Sequence, residues 1–477
     1  MFQTVSEAIA FVREHHIENI DLKFAGLTGA WHHISLPPSQ ADALLFEEGV
    51  GFDGSSTGYG VTAAGDMVAV PDVTTGFVDP FWGRPTLAFL CRVADASTRQ
   101  AHPLDPRGVA QRAEAYLRQT GIADQALFGP EYEYYLFGNV RTVSRPHLSL
   151  ALIESGESQG ESFDGPPLAT GYTIPHQGGY HVIPPLDRFR DVRCETVEAL
   201  GEIGVDIRYH HHEVGAAGQQ EIEVVLGPLV RMADVTYLVK YFVKNVAARH
   251  NLVATFMPKP IHGEAGSGMH FHQYLVKEGE HLFYDASRYA ELSRLAFSYI
   301  AGVLSHSRAL VALTNPSTNS FKRLIPGFEA PVKAFFSLGN RTAAIRIPKY
   351  ITNPAEKRME FRTPDATCNP YLAMAAQLMA GLDGIRRNLD PEALGLGPFD
   401  FDCTDPQWRD VADRIPTLPR SLEEAFDALA ADHAFLLEGG VFSEALLEAF
   451  TDTKRRKEIL QLQQRPHPYE LALYLNC

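Results

Sequence analysis

Hydrophobic residues recur with two different periods along the chain. After the capping-box sequence TVSE at residues 4–7, apolar side chains return at helical spacing, which predicts a first helix. Further along, Ile20, Leu22 and Phe24 alternate with polar residues, which predicts a half-buried strand at residues 20–24. A hairpin partner is expected at residues 30–36, and further strands at residues 67–71 and 86–93. The first hundred residues are therefore predicted to be mostly sheet.

The rest of the chain mixes the two periods. Pro103 and Pro106 mark a predicted boundary, so we expect a small domain over residues 1–104 and a large one over residues 105–477. Helices are predicted at residues 107–120, 187–203, 228–250 and 291–313, and strands at residues 128–137, 208–226 (as a hairpin) and 358–364. Stretches rich in Gly, Ser and Pro predict loops at residues 49–61, 144–175 and 315–331.

Composition narrows the class of protein. A chain of 477 residues exceeds one ordinary core, and its 45% hydrophobic and 21% charged residues are typical of globular proteins. A net charge of −16 without a sustained basic patch disfavours nucleic-acid binding. Five scattered cysteines without a CxxC pattern indicate a reducing compartment, and no stretch approaches the length of a membrane span. We expect a cytoplasmic protein with no nucleic-acid or membrane partner.

Two carboxylates share one face of the predicted strand FGPEYEYYLF at residues 128–137. Glu131 and Glu133 alternate along it, and aromatic neighbours indicate burial. Like charges this close repel, and burying them without a partner is costly. A divalent cation would resolve the conflict. The alternative is a solvent-exposed polar face.

A second pair of acids is predicted to meet across a hairpin. In RYHHHEVGAAGQQEIEVVL, residues 208–226, the turn brings Glu213 close to Glu221. The HHHE sequence alone also fits a nickel or zinc cluster. Three consecutive residues of a strand cannot all face one metal, so we favour Glu213 over the histidines.

A Gly-rich turn leads into a strand with paired imidazoles. In KPIHGEAGSGMHFHQYL, residues 259–275, His270 and His272 lie on the same face. The glycines allow the backbone to approach a ligand closely. The alternative is a core strand with two hydrogen-bonded histidines.

Together these residues predict chemistry on phosphates. The candidate acids and imidazole are Glu131, Glu133, Glu213, Glu221, His270 and Glu360, and the candidate guanidinium groups are Arg323, Arg341, Arg346 and Arg362. Carboxylates with one imidazole suit Mg²⁺ or Mn²⁺, and such ions with several arginines neutralise a triphosphate. The sequence contains no GxxxxGK[ST] loop, so the phosphate site is expected to consist of arginines, metals and sheet residues.

The motifs as a set resemble type I glutamine synthetase. The resemblance is collinear from about residue 17 to the end, and it rests on FDGSS, FGPEYEYYLF, HHHEVGAAGQQE, KPIHGEAGSGMHFH, NPSTNSFKRLIPGFEAP, NRTAAIRIP, RMEFRTPD and NPYLAMAAQLMAGLDGI. It implies an α+β fold with an N-terminal β-grasp-like domain. It also implies a catalytic domain with a curved antiparallel sheet flanked by helices. Two stacked hexameric rings would form a dodecamer with active sites between neighbouring subunits.

The resemblance also implies two divalent cations, Mg²⁺ or Mn²⁺, in each active site. The ligands of one are Glu133, Glu213 and Glu221, and those of the other, which bridges the nucleotide phosphates, are Glu131, His270 and Glu360.

The same resemblance implies the substrate-binding residues. The glutamate-binding groups are Arg323, Arg362 and the backbone at Gly266, the groups facing the transferring phosphate are Arg341 and Arg346, and the residue at the nucleotide is His272. Asp53 of a neighbouring subunit would take a proton from ammonium. Glu329 would close over the intermediate and, with Arg341, complete the catalytic set.

The implied reaction is an ATP-dependent ligation of ammonia to glutamate. ATP phosphorylates the side-chain carboxylate, ammonia attacks the γ-glutamyl phosphate, and phosphate leaves. Ammonium needs a general base before it becomes a nucleophile, and the acyl phosphate needs protection from water. Products are glutamine, ADP and phosphate.

Three positions depart from the family pattern. Ala265 replaces an Asn whose side chain contacts glutamate, and Arg208 and Tyr274 replace an acid and a serine of the nucleotide pocket. The principal alternative is therefore a ligase that joins glutamate to an organic amine such as a polyamine or ethanolamine. A guanidino kinase of related fold would not need Asp53, and a non-catalytic paralogue would be expected to lack metal ligands, all six of which are present.

Overall fold

A computed structural model describes residues 2–59, 65–157, 171–327, 329–401 and 405–477. The fold is α+β, as predicted. The small N-terminal part has two helices, α1 (Val5–Glu14) and α2 (Ala43–Glu48), and six strands, β1 (Asn19–Ala25), β2 (Trp31–Leu36), β3 (Val50–Asp53), β4 (Asp66–Pro71), β5 (Phe77–Val78) and β6 (Thr86–Asp95).

The N-terminal strands form one sheet of β-grasp type. Its order is β2-β1-β6-β4-β3, with β5 also paired to β6. The central pair β1–β6 is parallel, and the remaining pairs are antiparallel. Helix α1 begins at the predicted capping box, where the Thr4 hydroxyl accepts a hydrogen bond from the backbone N–H of Glu7.

Strand β1 is buried on both faces, so the prediction of a half-buried strand is wrong here. Its polar residues Asp21 and Lys23 form a buried ion pair at 2.6 Å. The Lys23 ammonium also lies 4.8 Å from the ring centre of Tyr241, which belongs to a helix of the larger part. Charged side chains can be buried when they are paired with each other. The alternation of apolar and polar residues therefore did not indicate that the polar face of β1 is packed as well.

The larger part contains a ten-stranded sheet and a two-stranded hairpin. The strands are β7 (Gln125–Phe137), β8 (Asn139–Arg145), β9 (Leu148–Glu154), β10 (Ile207–His212), β11 (Gln219–Val224), β12 (Gly227–Pro228), β13 (Val253–Thr255), β14 (Phe271–Lys277), β15 (Glu280–His281), β16 (Lys333–Leu338), β17 (Ala343–Ile347) and β18 (Met359–Phe361). The main order is β10-β11-β7-β14-β18-β17-β16. All its pairs are antiparallel except β16–β17, which is parallel.

The larger part also contains helices, several of which pack on its large sheet. They are α3 (Pro106–Thr120), α4 (Arg190–Glu202), α5 (Leu229–Arg249), α6 (Arg294–Ser305), α7 (Ser307–Thr314), α8 (Ser320–Arg323), α9 (Pro370–Arg386), α10 (Arg409–Ala412), α11 (Leu422–Ala431), α12 (Ala434–Leu437), α13 (Glu444–Lys454), α14 (Leu460–Gln463) and α15 (Pro468–Tyr474). Helix α9 is buried over most of its length against α3, α5 and α6. A Cβ at Gly302 would lie 2.2 Å from the carbonyl oxygen of Ala380, so glycine is required where α6 crosses α9.

Two predicted loops contain regular structure. Within residues 49–61, Val50–Asp53 forms the edge strand β3, which pairs with β4 through its backbone. Within residues 144–175, the end of β8 and all of β9 form a hairpin. Both lie at edges, where few side chains are buried, so the hydrophobic pattern was weak. Residues 60–64 and 158–170 lie outside the described residues.

Two further predictions need adjustment. The helix expected at residues 291–313 is two helices, α6 and α7, bent by 72° at His306. The loop expected at residues 315–331 contains the single-turn helix α8, and its residue 328 is not among the described ones.

Within the described ranges, no single helix is long and apolar enough to cross a membrane. Four cysteines, Cys91, Cys194, Cys368 and Cys477, are free thiols, and Cys403 lies outside the description.

A buried charge network joins the small sheet to the helices of the larger part. Arg107 at the start of α3 donates to both carboxylate oxygens of Asp234 on α5, at 3.1 and 3.0 Å. It also donates to Asp72 at 2.9 Å. Asn369 adds two amide hydrogen bonds, to the carbonyls of Gly26 and Leu27, both at 3.2 Å. These bonds fix the position of the small sheet against α5 and α9.

His306 occupies the bend between α6 and α7. Its ring stacks on Phe435 with centroids 3.9 Å apart. Its two nitrogens lie 2.9 Å from a carboxylate oxygen of Asp383 and 2.8 Å from one of Asp432. Burial alone would lower the pKa of His306, but the two carboxylates raise it above the ordinary value. The imidazolium therefore stabilises the packing of three helical segments.

We predict that His306→Gln destabilises the protein in a pH-dependent way. Because the folded-state pKa is raised, the stabilisation is complete below the unfolded pKa of about 6.5 and is lost as pH rises through the higher folded value. The cost at pH 6 should be about 1–3 kcal/mol, as for hydrogen bonds to charged groups. Melting temperatures from pH 6 to 9 measure it, with His250→Gln as a control from an exposed His–Glu pair. A difference independent of pH would show that His306 contributes only by packing on Phe435.

Candidate active site

The predicted acids converge on one cavity of about 560 Å³. Strand register explains how residues far apart in sequence meet. Glu131 and Glu133 on β7 lie directly opposite Glu223 and Glu221 on β11. On the other side of β7, strand β14 follows, and His272 in β14 lies opposite Glu360 in β18. Neighbouring strands thus present their carboxylates to the same face of the curved sheet.

One acid group lies at the β10–β11 hairpin. Glu221 is buried, and Glu213 follows the end of β10. Ligand atoms of Glu213, Glu221 and His211 all lie within 4.8 Å of one another. Burial and the neighbouring carboxylates raise the pKa of both glutamates well above the ordinary value. This group therefore lacks a compensating positive charge among the described side chains.

Glu133 lies between this group and the Gly-rich turn. Its carboxylate accepts hydrogen bonds from the backbone N–H of Gly268 at 2.9 Å and from the Gln219 amide at 3.3 Å. A carboxylate oxygen is 3.7 Å from Nε2 of His270. Glu133 is thus held at the junction of the two acid groups.

The other acid group already has positive partners. Ligand atoms of Glu131, His270 and Glu360 lie within 4.8 Å of one another. Burial opposes ionisation of Glu360, but Arg362 and Arg346 lower its pKa to about 2. Burial likewise opposes ionisation of Glu131, whose pKa is nevertheless held well below the ordinary value by His272 and His270. Arginine and imidazole partners thus favour ionisation of the carboxylates in this group, whereas burial and neighbouring carboxylates oppose it at the β10–β11 hairpin.

The predicted arginines surround the second group. Arg346 contacts Glu360 at 2.7 Å, and Arg362 is hydrogen bonded to the same carboxylate. Arg323 on α8 is buried and donates to the carbonyl of Thr363 at 2.8 Å. Arg341 is half exposed, and its carbonyl accepts a hydrogen bond from Arg362 at 3.0 Å. All four line the cavity.

Of two further predicted residues, Glu329 lines the cavity and His272 does not. Glu329 is exposed, has a φ of +53°, and lies 3.9 Å from Arg341. His272 is fully buried, with Nε2 2.7 Å from Glu131. Its Nδ1 has no hydrogen-bond partner among the described residues.

Gly266 lines the cavity where only glycine fits. A Cβ there would lie 2.7 Å from the carbonyl oxygen of Pro258 and 2.8 Å from Cγ of Arg323. The carbonyl of Gly266 accepts a hydrogen bond from Gln219 at 3.1 Å. The backbone at this turn is therefore close to both Arg323 and the acid groups.

Asp53 does not reach the cavity of its own chain. It is exposed at the end of the edge strand β3. Its carboxylate accepts hydrogen bonds from Ser55 and Ser56, and these bonds lower its pKa. The sequence prediction assigned it to the site of a neighbouring subunit, and a single chain leaves that prediction open.

Sequence reasoning missed several residues that line the cavity, namely Tyr180, Tyr209, His211, Gln219 and Tyr350. Three of them could have been predicted from the alternation of side-chain directions along a strand. Tyr209 and His211 precede Glu213 by four and two positions, and Gln219 precedes Glu221 by two, so they share a face with the predicted acids. His211 was missed because the sequence analysis favoured Glu213 over the adjacent histidines.

The donor set fits hard divalent cations. Carboxylate oxygens with one imidazole in each group are ligands that Mg²⁺ and Mn²⁺ accept. Burial and the neighbouring carboxylates raise the pKa of Glu213 and Glu221, as expected where acids meet without a cationic side chain. A cation bound there would remove the imbalance.

Comparison with known proteins identifies relatives along the whole chain. The family model "Glutamine synthetase, catalytic domain" matches residues 103–474, and "Glutamine synthetase, beta-Grasp domain" matches residues 16–96. The chain is 44% identical to the glutamine synthetase of Frankia alni, covering 100% of both chains. It is 43% identical to that of Mycolicibacterium smegmatis, covering 99% of both. The solved structure of Plasmodium falciparum glutamine synthetase matches with a TM-score of 0.89, 25% identity and 99% of both chains.

We predict that Glu221→Gln changes the response of stability to divalent cations. In EDTA near pH 7 the variant should melt at or above the wild-type temperature, because one of the mutually repelling carboxylates is removed. With Mn²⁺ its gain in melting temperature should be smaller than that of the wild type, since a ligand is lost. Glu280→Gln on exposed β15 serves as the control. Equal gains in wild type and variant would contradict a cation at Glu221.

Proposed function

The chain belongs to the glutamine synthetase family and catalyses the ATP-dependent ligation of ammonia to L-glutamate, and we propose how its residues divide this work. ATP transfers its γ-phosphoryl group to the glutamate side chain, giving γ-glutamyl phosphate and ADP. Ammonia then attacks the acyl carbon, and the bond to phosphate breaks. The single observation that carries the assignment of roles is the convergence of two carboxylate groups and four arginines on one cavity.

We propose that the two acid groups hold two Mg²⁺ or Mn²⁺ ions. Glu133, Glu213 and Glu221 would hold one, and Glu131, His270 and Glu360 the other. Bound cations would neutralise phosphate oxygens and polarise the transferring phosphoryl group. His211 lies close enough to Glu221, at 3.5 Å, to orient that carboxylate.

Arginines and the Gly-rich turn are proposed to hold the substrates. Arg323, Arg362 and the backbone of Gly266 would bind glutamate. Arg341 and Arg346 would stabilise negative charge on the transferring phosphate, as guanidinium groups do in a water-poor site. His272 would contribute at the nucleotide side.

Glu329 and Asp53 are proposed to act at the second step. Glu329 lies on an exposed segment beside Arg341 and would cover the γ-glutamyl phosphate against water. Asp53 of an adjacent subunit would accept a proton from ammonium, and hydrogen bonds donated by Ser55 and Ser56 would orient its carboxylate.

The assembly is proposed to be a cytoplasmic dodecamer of two hexameric rings. Asp53 lies outside its own cavity, which supports sites completed by a neighbour. The C-terminal segment exposes a set of apolar side chains that a second copy would cover, namely Tyr469, Leu471, Leu473, Tyr474 and Leu475. The free thiols support a reducing compartment. We also propose that each subunit consists of a small domain over residues 1–104 and a large domain over residues 105–477.

We predict that ATP, Mg²⁺, glutamate and ammonium yield glutamine, ADP and phosphate in equal amounts. Parallel reactions replace ammonium by ethanolamine or a polyamine, and mass spectrometry identifies the products. Efficient product formation with ammonium alone is expected. Product only with a larger amine would make the chain a γ-glutamyl-amine ligase and would point first to Ala265.

We predict that two inactive variants restore activity when they share an oligomer. Asp53→Asn and Glu360→Gln chains are co-expressed with different tags, and mixed oligomers are isolated by both tags. If each site takes Asp53 from a neighbour, a site is intact when its own chain carries Glu360 and the neighbouring chain carries Asp53. Random mixing then leaves about one quarter of the sites intact. If Asp53 acts within its own chain, every site carries a defect and no activity returns. Oligomers of either variant alone provide the baseline.

A further inference from the structure

Two segments that form different walls of the cavity are bonded to each other at its rim. The segment at residues 175–181 carries Gln177 and Tyr180, and the segment at residues 263–266 carries Ala265 and Gly266; all four residues line the cavity. The amide of Gln177 donates to the carbonyl of Gly263 at 2.9 Å.

A side-chain pair reinforces this connection. Nδ1 of His176 lies 2.6 Å from Oε1 of Glu264, which is nearly buried. A contact this short between an imidazole and a carboxylate is a charge-assisted hydrogen bond when the ring is protonated. The pair therefore connects the two walls directly beside the lining residues.

Glu264 makes a further contact with the β10–β11 turn. Its Oε2 accepts a hydrogen bond from the backbone N–H of Ala216 at 3.2 Å. Its own carbonyl accepts a hydrogen bond from the ammonium group of Lys259. Glu264 is thus held by three separate segments of the chain, although it does not line the cavity itself.

The backbone after Glu264 is fixed residue by residue. The carbonyl of Ala265 accepts a hydrogen bond from the Tyr135 hydroxyl at 2.6 Å, and that of Gly266 accepts one from Gln219 at 3.1 Å. Ala265 has no polar side chain. Any polar contact that a substrate makes at these two residues must therefore use their backbone, whose position depends on neighbouring contacts.

We propose that Glu264, together with His176, is a positioning residue for glutamate. This inference rests on the proposed function of the cavity. Glu264 holds the backbone of Ala265 and Gly266 against the segment that carries Tyr180, so that the glutamate side of the cavity has one fixed width. His272, the residue proposed for the nucleotide side, lies on β14 and contacts Glu131 rather than this pair.

Glu264→Gln tests the proposal with little change in volume. Glutamine can still accept the hydrogen bond from Ala216, but it lacks the charge that strengthens the contact with His176. We expect the KM for glutamate to rise about five- to tenfold, as when a charge-assisted hydrogen bond is weakened. The KM for ATP should change less than about twofold, and the melting temperature should remain near that of the wild type.

A matched control exists on the surface. Glu195 and His250 form a pair with the same 2.6 Å separation, away from the cavity. Glu195→Gln should leave both KM values unchanged. His176→Gln, at a more exposed position, should raise the KM for glutamate in the same direction as Glu264→Gln. The double variant should show less than the sum of the two free-energy effects, because both remove one contact.

Different results would overturn the positioning role of Glu264 and the proposed function of the cavity. Wild-type protein that forms glutamine, with an unchanged KM for glutamate in both variants, would overturn the positioning role alone. A parallel loss of kcat with equal changes in both KM values would also overturn it, since that pattern indicates general destabilisation. Wild-type protein that forms no glutamine would overturn the proposed function before any variant is compared. If Glu264→Gln does not fold, the result for His176→Gln decides.

Discussion

Like-charge repulsion between carboxylates held in one cavity is the constraint on which the rest of the site depends. Glu213 and Glu221 face each other across a hairpin, and the described side chains supply no cation to balance them. Glu131 and Glu360 are equally buried but are balanced by imidazoles and arginines. The same sheet therefore presents one acid group without a cationic partner among the described side chains and one whose carboxylates are paired with histidines and arginines. In the proposed function, this asymmetry would let a single cavity bind cations and still hold an anionic phosphate.

Holding repelling groups together requires a rigid frame, and the strand register supplies it. Glu133 lies opposite Glu221, and His272 lies opposite Glu360, so the distances are fixed by backbone ladders. Behind the sheet, α9 is buried along most of its length and is crossed closely by α6 at Gly302. The Arg107 network then fixes the small sheet, with its edge strand β3, against the same helices. Packing energy far from the cavity thus maintains an arrangement that is unfavourable by itself.

The sequence allowed the site to be predicted better than the edges of the fold. Alternation on β7 identified Glu131 and Glu133, because buried strands impose a strict period. The turn predicted from GAAGQQ, residues 215–220, correctly brought Glu213 near Glu221. Strand β3 and the β8–β9 hairpin were missed because backbone pairing at an edge needs no apolar pattern. The bend at His306 was missed because it depends on Asp383 and Asp432, which are distant in sequence. Burial of the Asp21–Lys23 pair likewise depends on a helix more than 200 residues later.

The raised pKa values at the β10–β11 hairpin have a thermodynamic consequence for the whole enzyme. A carboxyl group with a raised pKa retains its proton at a higher pH than an ordinary one, so a cation that binds there must displace protons. A cation bound at the hairpin would therefore exchange with protons, and its affinity would rise with pH. Occupancy of the hairpin by a cation would thus depend on pH as well as on the supply of metal.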